Sequence, residues 1–139
     1  MSDIIQLASK EDYDSLITAS TGKTVLAIIW PQDRTSAILL KHLNLLLPES
    51  DRSEYGIVGI YSFDVYSLPA LAEEVGVTFV PMLIWFNDGI RDSTEWHQGV
   101  RIEGEKISDG VKRVVNRIKA AGKGLGGDED SDEDAWENC

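Results

Sequence analysis

The chain has almost no sulfur chemistry to offer: its one cysteine, Cys139, is the last of 139 residues. A single thiol excludes an internal disulfide framework and a cysteine-built zinc site, and fits a reducing compartment. Histidine is nearly as scarce. His42 and His97 stand too far apart in sequence to suggest a metal centre, and neither a Ser-His-Asp arrangement nor a Gly-rich phosphate loop is present. Long apolar runs are missing too, since nothing approaches the roughly 20 residues that a membrane span needs. Met1-Ser2-Asp3 shows neither the basic region nor the apolar core of an export signal, so a cytosolic or nuclear protein, off the membrane, is expected. Basic charge is also short, with 13 Lys and Arg against 24 Asp and Glu for a net charge of −11. That composition lacks the footprint of direct nucleic-acid binding.

The acidity is concentrated at one end. Residues 128–139 carry Asp128, Glu129, Asp130, Asp132, Glu133, Asp134 and Glu137 with no base, which leaves a mildly acidic remainder of 17 acids and 13 bases. Gly122, Gly124, Gly126 and Gly127 precede that run as a hinge. A segment so poor in apolar residues cannot offset its chain entropy, so residues 122–139 are expected to be a disordered acidic tail on one domain, residues 1–121. Within the tail, Ser131 followed by Asp132, Glu133 and Asp134 has the pattern of an acidic phosphorylation site. Trp136 is a lone aromatic in an acidic linear stretch and suits docking to a basic protein partner, although charge repulsion and solubility alone would also account for the run. Cys139 lies among carboxylates, which raise a thiol's pKa, and it does not match a prenylation box.

The remaining sequence alternates strand and helix signals. Ile4–Leu7 reads as a strand, and Ser9 with Asp12 three residues on reads as the cap of a helix from Lys10 to Thr18 that would bury Tyr13, Leu16 and Ile17. Thr24–Trp30 is the near-continuous apolar run of a central strand. Ala37–Leu47 reads as helix, with Ser36 or Thr35 as its cap, Arg34 as a solvated charge or an anion contact, and more leucine than one core face absorbs. A strand over Gly56–Phe63, a helix from Ser67 to Val75 with Pro69 in its first turn, and a strand over Met82–Phe86 follow. Asn87-Asp88-Gly89 suits a hairpin into a last strand, about Ser93–Val100, and Ile107–Ala121 closes the body as an amphipathic helix. Asp51-Arg52-Ser53-Glu54 reads as a polar loop.

Thr78-Phe79-Val80-Pro81-Met82-Leu83-Ile84-Trp85-Phe86-Asn87-Asp88-Gly89, taken with Tyr55–Asp64 before it, resembles the second half of a thioredoxin. The resemblance implies the thioredoxin fold, an α/β architecture with a mixed five-stranded sheet and helices on both faces, and it implies a cis-proline at Pro81. It also locates what is missing. Thioredoxins carry Cys-Gly-Pro-Cys where the strand ending at Trp30 leads into a helix, and ungapped counting brings those positions to Arg34, Thr35, Ser36 and Ala37. The family's buried acid then falls on Ile28 and the neighbouring lysine on Ile60.

A redox-inactive member of the family is therefore expected, acting as a binding module or adaptor without cofactor or metal. The resemblance places its groove at Trp30, Pro31, Phe79, Val80 and Pro81, near Gly99, where main-chain pairing could hold an extended peptide. The same residues also suit plain core positions. The alternative is an atypical thiol oxidoreductase or small-thiol-binding enzyme that uses Cys139 or the groove. Self-association is left open.

Overall fold

The structure is a computed structural model that describes residues 4–97 and 106–121. Strand β1 (Ile4–Gln6) leads to α1 (Lys10–Tyr13), which Ser9 caps by accepting a hydrogen bond from the Asp12 N–H at 3.2 Å. Asp12 answers by accepting from the Ala8 N–H at 2.9 Å, so two N–H groups at the helix start are satisfied. The helix then widens into a π turn, Asp14–Thr18. That wider turn keeps Tyr13 and Ile17 on the core but leaves Leu16, expected to be buried with them, 37% exposed.

Strand β2 (Lys23–Ile29) is buried along its whole length, because it lies between β3 (Ile57–Asp64) and β4 (Met82–Asn87) with a helical layer over each face. The order across the sheet is β1-β3-β2-β4-β5, with β1 and β2 parallel to β3 and β4 antiparallel to β2. The expected single last strand is two short ones, β5 (Ile90–Arg91) and β6 (Trp96–His97), both antiparallel to β4. Their registers differ by two residues: Phe86 faces Arg91, whereas Leu83 faces Trp96. The Ser93–Glu95 stretch takes up that excess outside the ladder, and the expected continuation of the strand to Val100 lies outside the described residues. The hairpin turn is formed by Asp88 and Gly89, both at positive φ, and a Cβ on Gly89 would overlap the Thr18 carbonyl.

Two cores result, one on each face of the sheet. Helices α2 (Arg34–Leu46) and α5 (Ile107–Ala120) cover the first, where Val25, Ala27, Leu39, Leu43, Ile60, Trp85, Val111 and Val115 meet. The α1 turn and α4 (Pro69–Val75) cover the second, with Leu26, Ile28, Phe63, Leu71 and Ile84. Most of the leucine-rich α2 packs into the body: Leu39, Leu43 and Leu47 are buried, and Leu45 is the exposed one at 64%. The segment expected as a polar loop is structured instead. It completes α3 (Glu49–Arg52) and a 3-10 turn, Ser53–Tyr55, and buried Arg52 donates from Nε to the Leu47 carbonyl at 2.9 Å, satisfying a group left over at the end of α2.

Lys23 is the second buried cation that the sequence did not reveal. Its ammonium donates to the carbonyls of Ile118 (2.7 Å) and Ala121 (2.5 Å), at the end of α5. Those carbonyls have no partner within the helix and carry its partial negative charge, so the position suits a cation.

Candidate functional site

Three chain segments converge at one end of the sheet. Ile29 pairs with Asp64 where β2 and β3 both finish, and Ile28 pairs with Met82 where β4 starts. The loops that continue from these residues carry Trp30–Asp33, Val65–Leu68 and Thr78–Pro81.

On the β2 side, Asp33 is the cap of α2, in place of the expected Ser36 or Thr35. Its carboxylate accepts from the Ser36 N–H at 3.1 Å and from the Ser36 hydroxyl at 3.2 Å. The same hydroxyl oxygen accepts from the Trp30 N–H at 3.1 Å. Ser36 is thus buried and committed, while Arg34 is exposed. The helix begins three residues before the expected Ala37 because an N-cap wants a side-chain oxygen with extended backbone, and Asp33 supplies both. Of the N-terminal amides of α2, the Asp33 side chain holds that of Ser36.

Trp30 is 39% exposed and meets Tyr66 edge to face, with ring centroids 5.7 Å apart. Tyr66 owes its position to Asp64, whose carboxylate accepts from the Tyr66 N–H at 2.9 Å and from the Ser67 hydroxyl at 3.1 Å, an Asx-type turn. On the β4 side, the Val80–Pro81 bond is cis and Pro81 is buried. Phe79 is 47% exposed and stacks on His97 at 4.8 Å with the rings nearly parallel. Glu95 lies 3.4 Å from His97 Nε2 and also accepts from Arg91 at 2.8 Å. The main chain of Thr78, Phe79 and Val80 makes no hydrogen bond among the described residues.

The expected site residues therefore separate into groups. Trp30, Phe79, Val80 and Pro81 share one end of the sheet, with Tyr66 and His97 as aromatic partners that sequence reasoning passed over. Pro31 instead lines a groove of 410 Å³ on the other flank of α2, with Ile4, Gln6, Ile29, Leu40 and Asn44 among its walls. Trp136, Ser131, Cys139 and Gly99 lie outside the described residues. Tyr66 had a signal in the Asp-x-Tyr-Ser turn, whereas His97 had none, since only the register of β6 brings it to Phe79.

No protein-family model matches the chain, and no curated protein does. Solved structures do. A chain from a structural study of thiol resolution in yeast mitochondrial 1-Cys peroxiredoxin by the glutathione and thioredoxin systems is similar at a TM-score of 0.64 and 18% identity, over 85% of this chain and 98% of that one. The thioredoxin of Malassezia sympodialis gives 0.64 at 16% identity, over 86% and 94%. A point mutant of the thioredoxin of Halobacterium salinarum gives 0.63 at 19%, over 84% and 91%. The fold is the thioredoxin fold. At such identities the likeness carries the fold alone.

The i,i+3 pair whose side chains meet at the mouth of α2 is Asp33 and Ser36. Ile28 and Ile60 lie on opposite faces of the sheet and cannot be neighbours, whereas Ala27 shares a core with Ile60 and sits two residues along from its register partner Val25. A strand alternates faces at every residue, so neighbouring positions on β2 meet different cores. Ala27 and Ile60 are both fully buried in apolar surroundings.

The geometry of the Asp33–Ser36 pair gives a direct expectation. In a Cys139→Ser background, Asp33→Cys with Ser36→Cys should close an intramolecular disulfide, with both thiols titratable after reduction and neither after mild oxidation. Thiols that stay free, or a disulfide that appears only between molecules, would contradict the proposed pairing of these positions.

Proposed function

We propose that this protein is a non-catalytic thioredoxin-fold binding module, an adaptor that holds an extended segment of a protein partner at the cis-proline end of its sheet. The observation that carries this reading is the main chain of Thr78–Val80 beside Pro81, unpaired among the described residues and flanked by the exposed rings of Phe79 and Trp30. An extended peptide pairs with such a stretch through its own backbone, and apolar side chains beside it supply area. The Asp33 carboxylate and Ser36 hydroxyl hold one another at the mouth of α2, and neither atom can exchange a disulfide. The acidic run 128–137 would add long-range attraction for a basic partner.

Two measurements test this function. Reduction of a protein disulfide by dithiothreitol should run at the same rate with and without the chain, and an acceleration that survives Cys139→Ser would overturn the non-catalytic reading. Peptides selected from a random library on the full chain should lose affinity about tenfold or more with Phe79→Ala or Trp30→Ala, as a loss above about 1.4 kcal/mol at a buried aromatic contact requires. Peptides that bind both variants as tightly as the parent would place recognition elsewhere. A chain ending at Gly126 should bind the same peptides with a weaker dependence on salt if the tail contributes charge.

A further inference from the structure

We infer that the acidic segment 128–137 docks on the exposed face of α5 in the same molecule, so that this helix is the tail's first ligand and any basic partner must compete with it. The inference does not rest on the peptide groove, which lies elsewhere on the fold. It starts from an asymmetry of charge on an otherwise acidic protein. Helix α5 carries Lys112, Arg113, Arg117 and Lys119 against one acid, Asp109. Its other face is committed to the core through Val111, Val114, Val115 and Ile118.

The bases flank the exposed face in two pairs by helical spacing, Lys112 with Lys119 and Arg113 with Arg117, with Asp109 between them. Lys112, Arg113 and Arg117 are exposed, and 113 and 117 are four apart on one side. Asp92 approaches Arg117 only to 4.0 Å, and the Asp109 carboxylate is engaged with the Lys106 N–H at the start of the helix. Lys119 lies over the Tyr55 ring at 5.0 Å. At the end where the chain leaves, Lys23 occupies the helix carbonyls, so the negative pole of α5 that would repel an acidic segment is already matched by a cation.

Reach and charge then select the occupant. Six residues, 122–127, separate the end of the body from the first acid, and fully extended they span about 20 Å. From Ala121 back to Lys112 along the helix is about 14 Å. A chain that turns back can therefore lay its seven acids beside these bases. A short tether gives a local concentration in the millimolar range, which an acidic segment of another molecule does not match.

The lone cysteine makes the test specific. A nitroxide attached to Cys139 of the isotope-labelled full chain should broaden the amide signals of Lys112–Lys119 at about 0.01 M salt, and those signals should recover near 1 M, where the screening length falls to about 3 Å. Lys112→Glu with Arg113→Glu and Arg117→Glu changes exposed positions only, and with an unchanged melting transition it should abolish the broadening. Broadening that persists in that variant or at high salt, or that is absent at low salt, would overturn the inference. So would equal broadening of a labelled Cys139→Ser chain mixed with spin-labelled chain, which would mean contact between copies.

Discussion

Ala27→Asp is expected to destabilise the protein severely, and by an amount that grows with pH. Ala27 is fully buried on the central strand, in an apolar cluster with Ile60, Leu39 and Val25. Burial disfavours the charged form and can raise a carboxyl's pKa by up to about 3–5 units. Above an unfolded-state value of about 3.9 the unfolded chain gives up its proton while the folded one keeps it. Stability is therefore lost as pH rises from about 4 towards the folded pKa, at about 1.36 kcal/mol per unit. Ala27→Asn carries nearly the same volume and cannot ionise, so it isolates the charge. The two variants should be similarly stable near pH 4 and differ by about 4 kcal/mol at pH 7, read from denaturant midpoints. A difference that does not change with pH would show that the position is reached by water or by a cation, against the apolar site described here.

Gly110→Ala should destabilise by about 1–2 kcal/mol, opposite in sign to the gain of about 1 kcal/mol that helix propensity alone gives for this change. Gly110 lies inside α5, where alanine removes backbone freedom from the unfolded chain and would ordinarily help. Here the indole of Trp96 rests on the glycine, and an added Cβ would overlap its Nε1 and Cδ1 atoms. Trp96 is 1% exposed and held by β6 against β4, so the ring cannot swing into solvent. A double-mutant cycle separates the contributions: in a Trp96→Phe background the smaller ring should leave room, and Gly110→Ala should cost less than in the parent. Equal costs in both backgrounds would remove Trp96 as the cause.

Much of the fold was legible because its elements rest on local signals. The run Thr24–Trp30 marks a central strand, the spacing of Val111, Val114, Val115 and Ile118 marks one face of a helix, and Asn87-Asp88-Gly89 marks a hairpin. Leu16 and the divided last strand were not legible, because a π turn and a two-residue offset between β5 and β6 come from packing and pairing and leave no local pattern. For the candidate site, the thioredoxin resemblance grouped Trp30, Phe79, Val80 and Pro81, whereas their ring partners Tyr66 and His97 came from the structure alone. The cap of α2 was also misplaced, at Ser36 or Thr35 in place of Asp33, because the helix starts three residues before its apolar pattern does.

By itself the sequence determined that only one thiol is available, that the charge is gathered at one end, and that strands and helices alternate in the order this fold uses. Those are properties of composition and of periods 2 and 3.6, which need no knowledge of distant neighbours. Tertiary structure alone decided that Asp33 and Ser36 bond to one another, that Ala27 rather than Ile28 shares a core with Ile60, and that Lys23 reaches the end of α5. Each of these depends on which face a residue meets across the sheet. One residue of register exchanges the faces, and pairing between segments far apart in sequence sets that register.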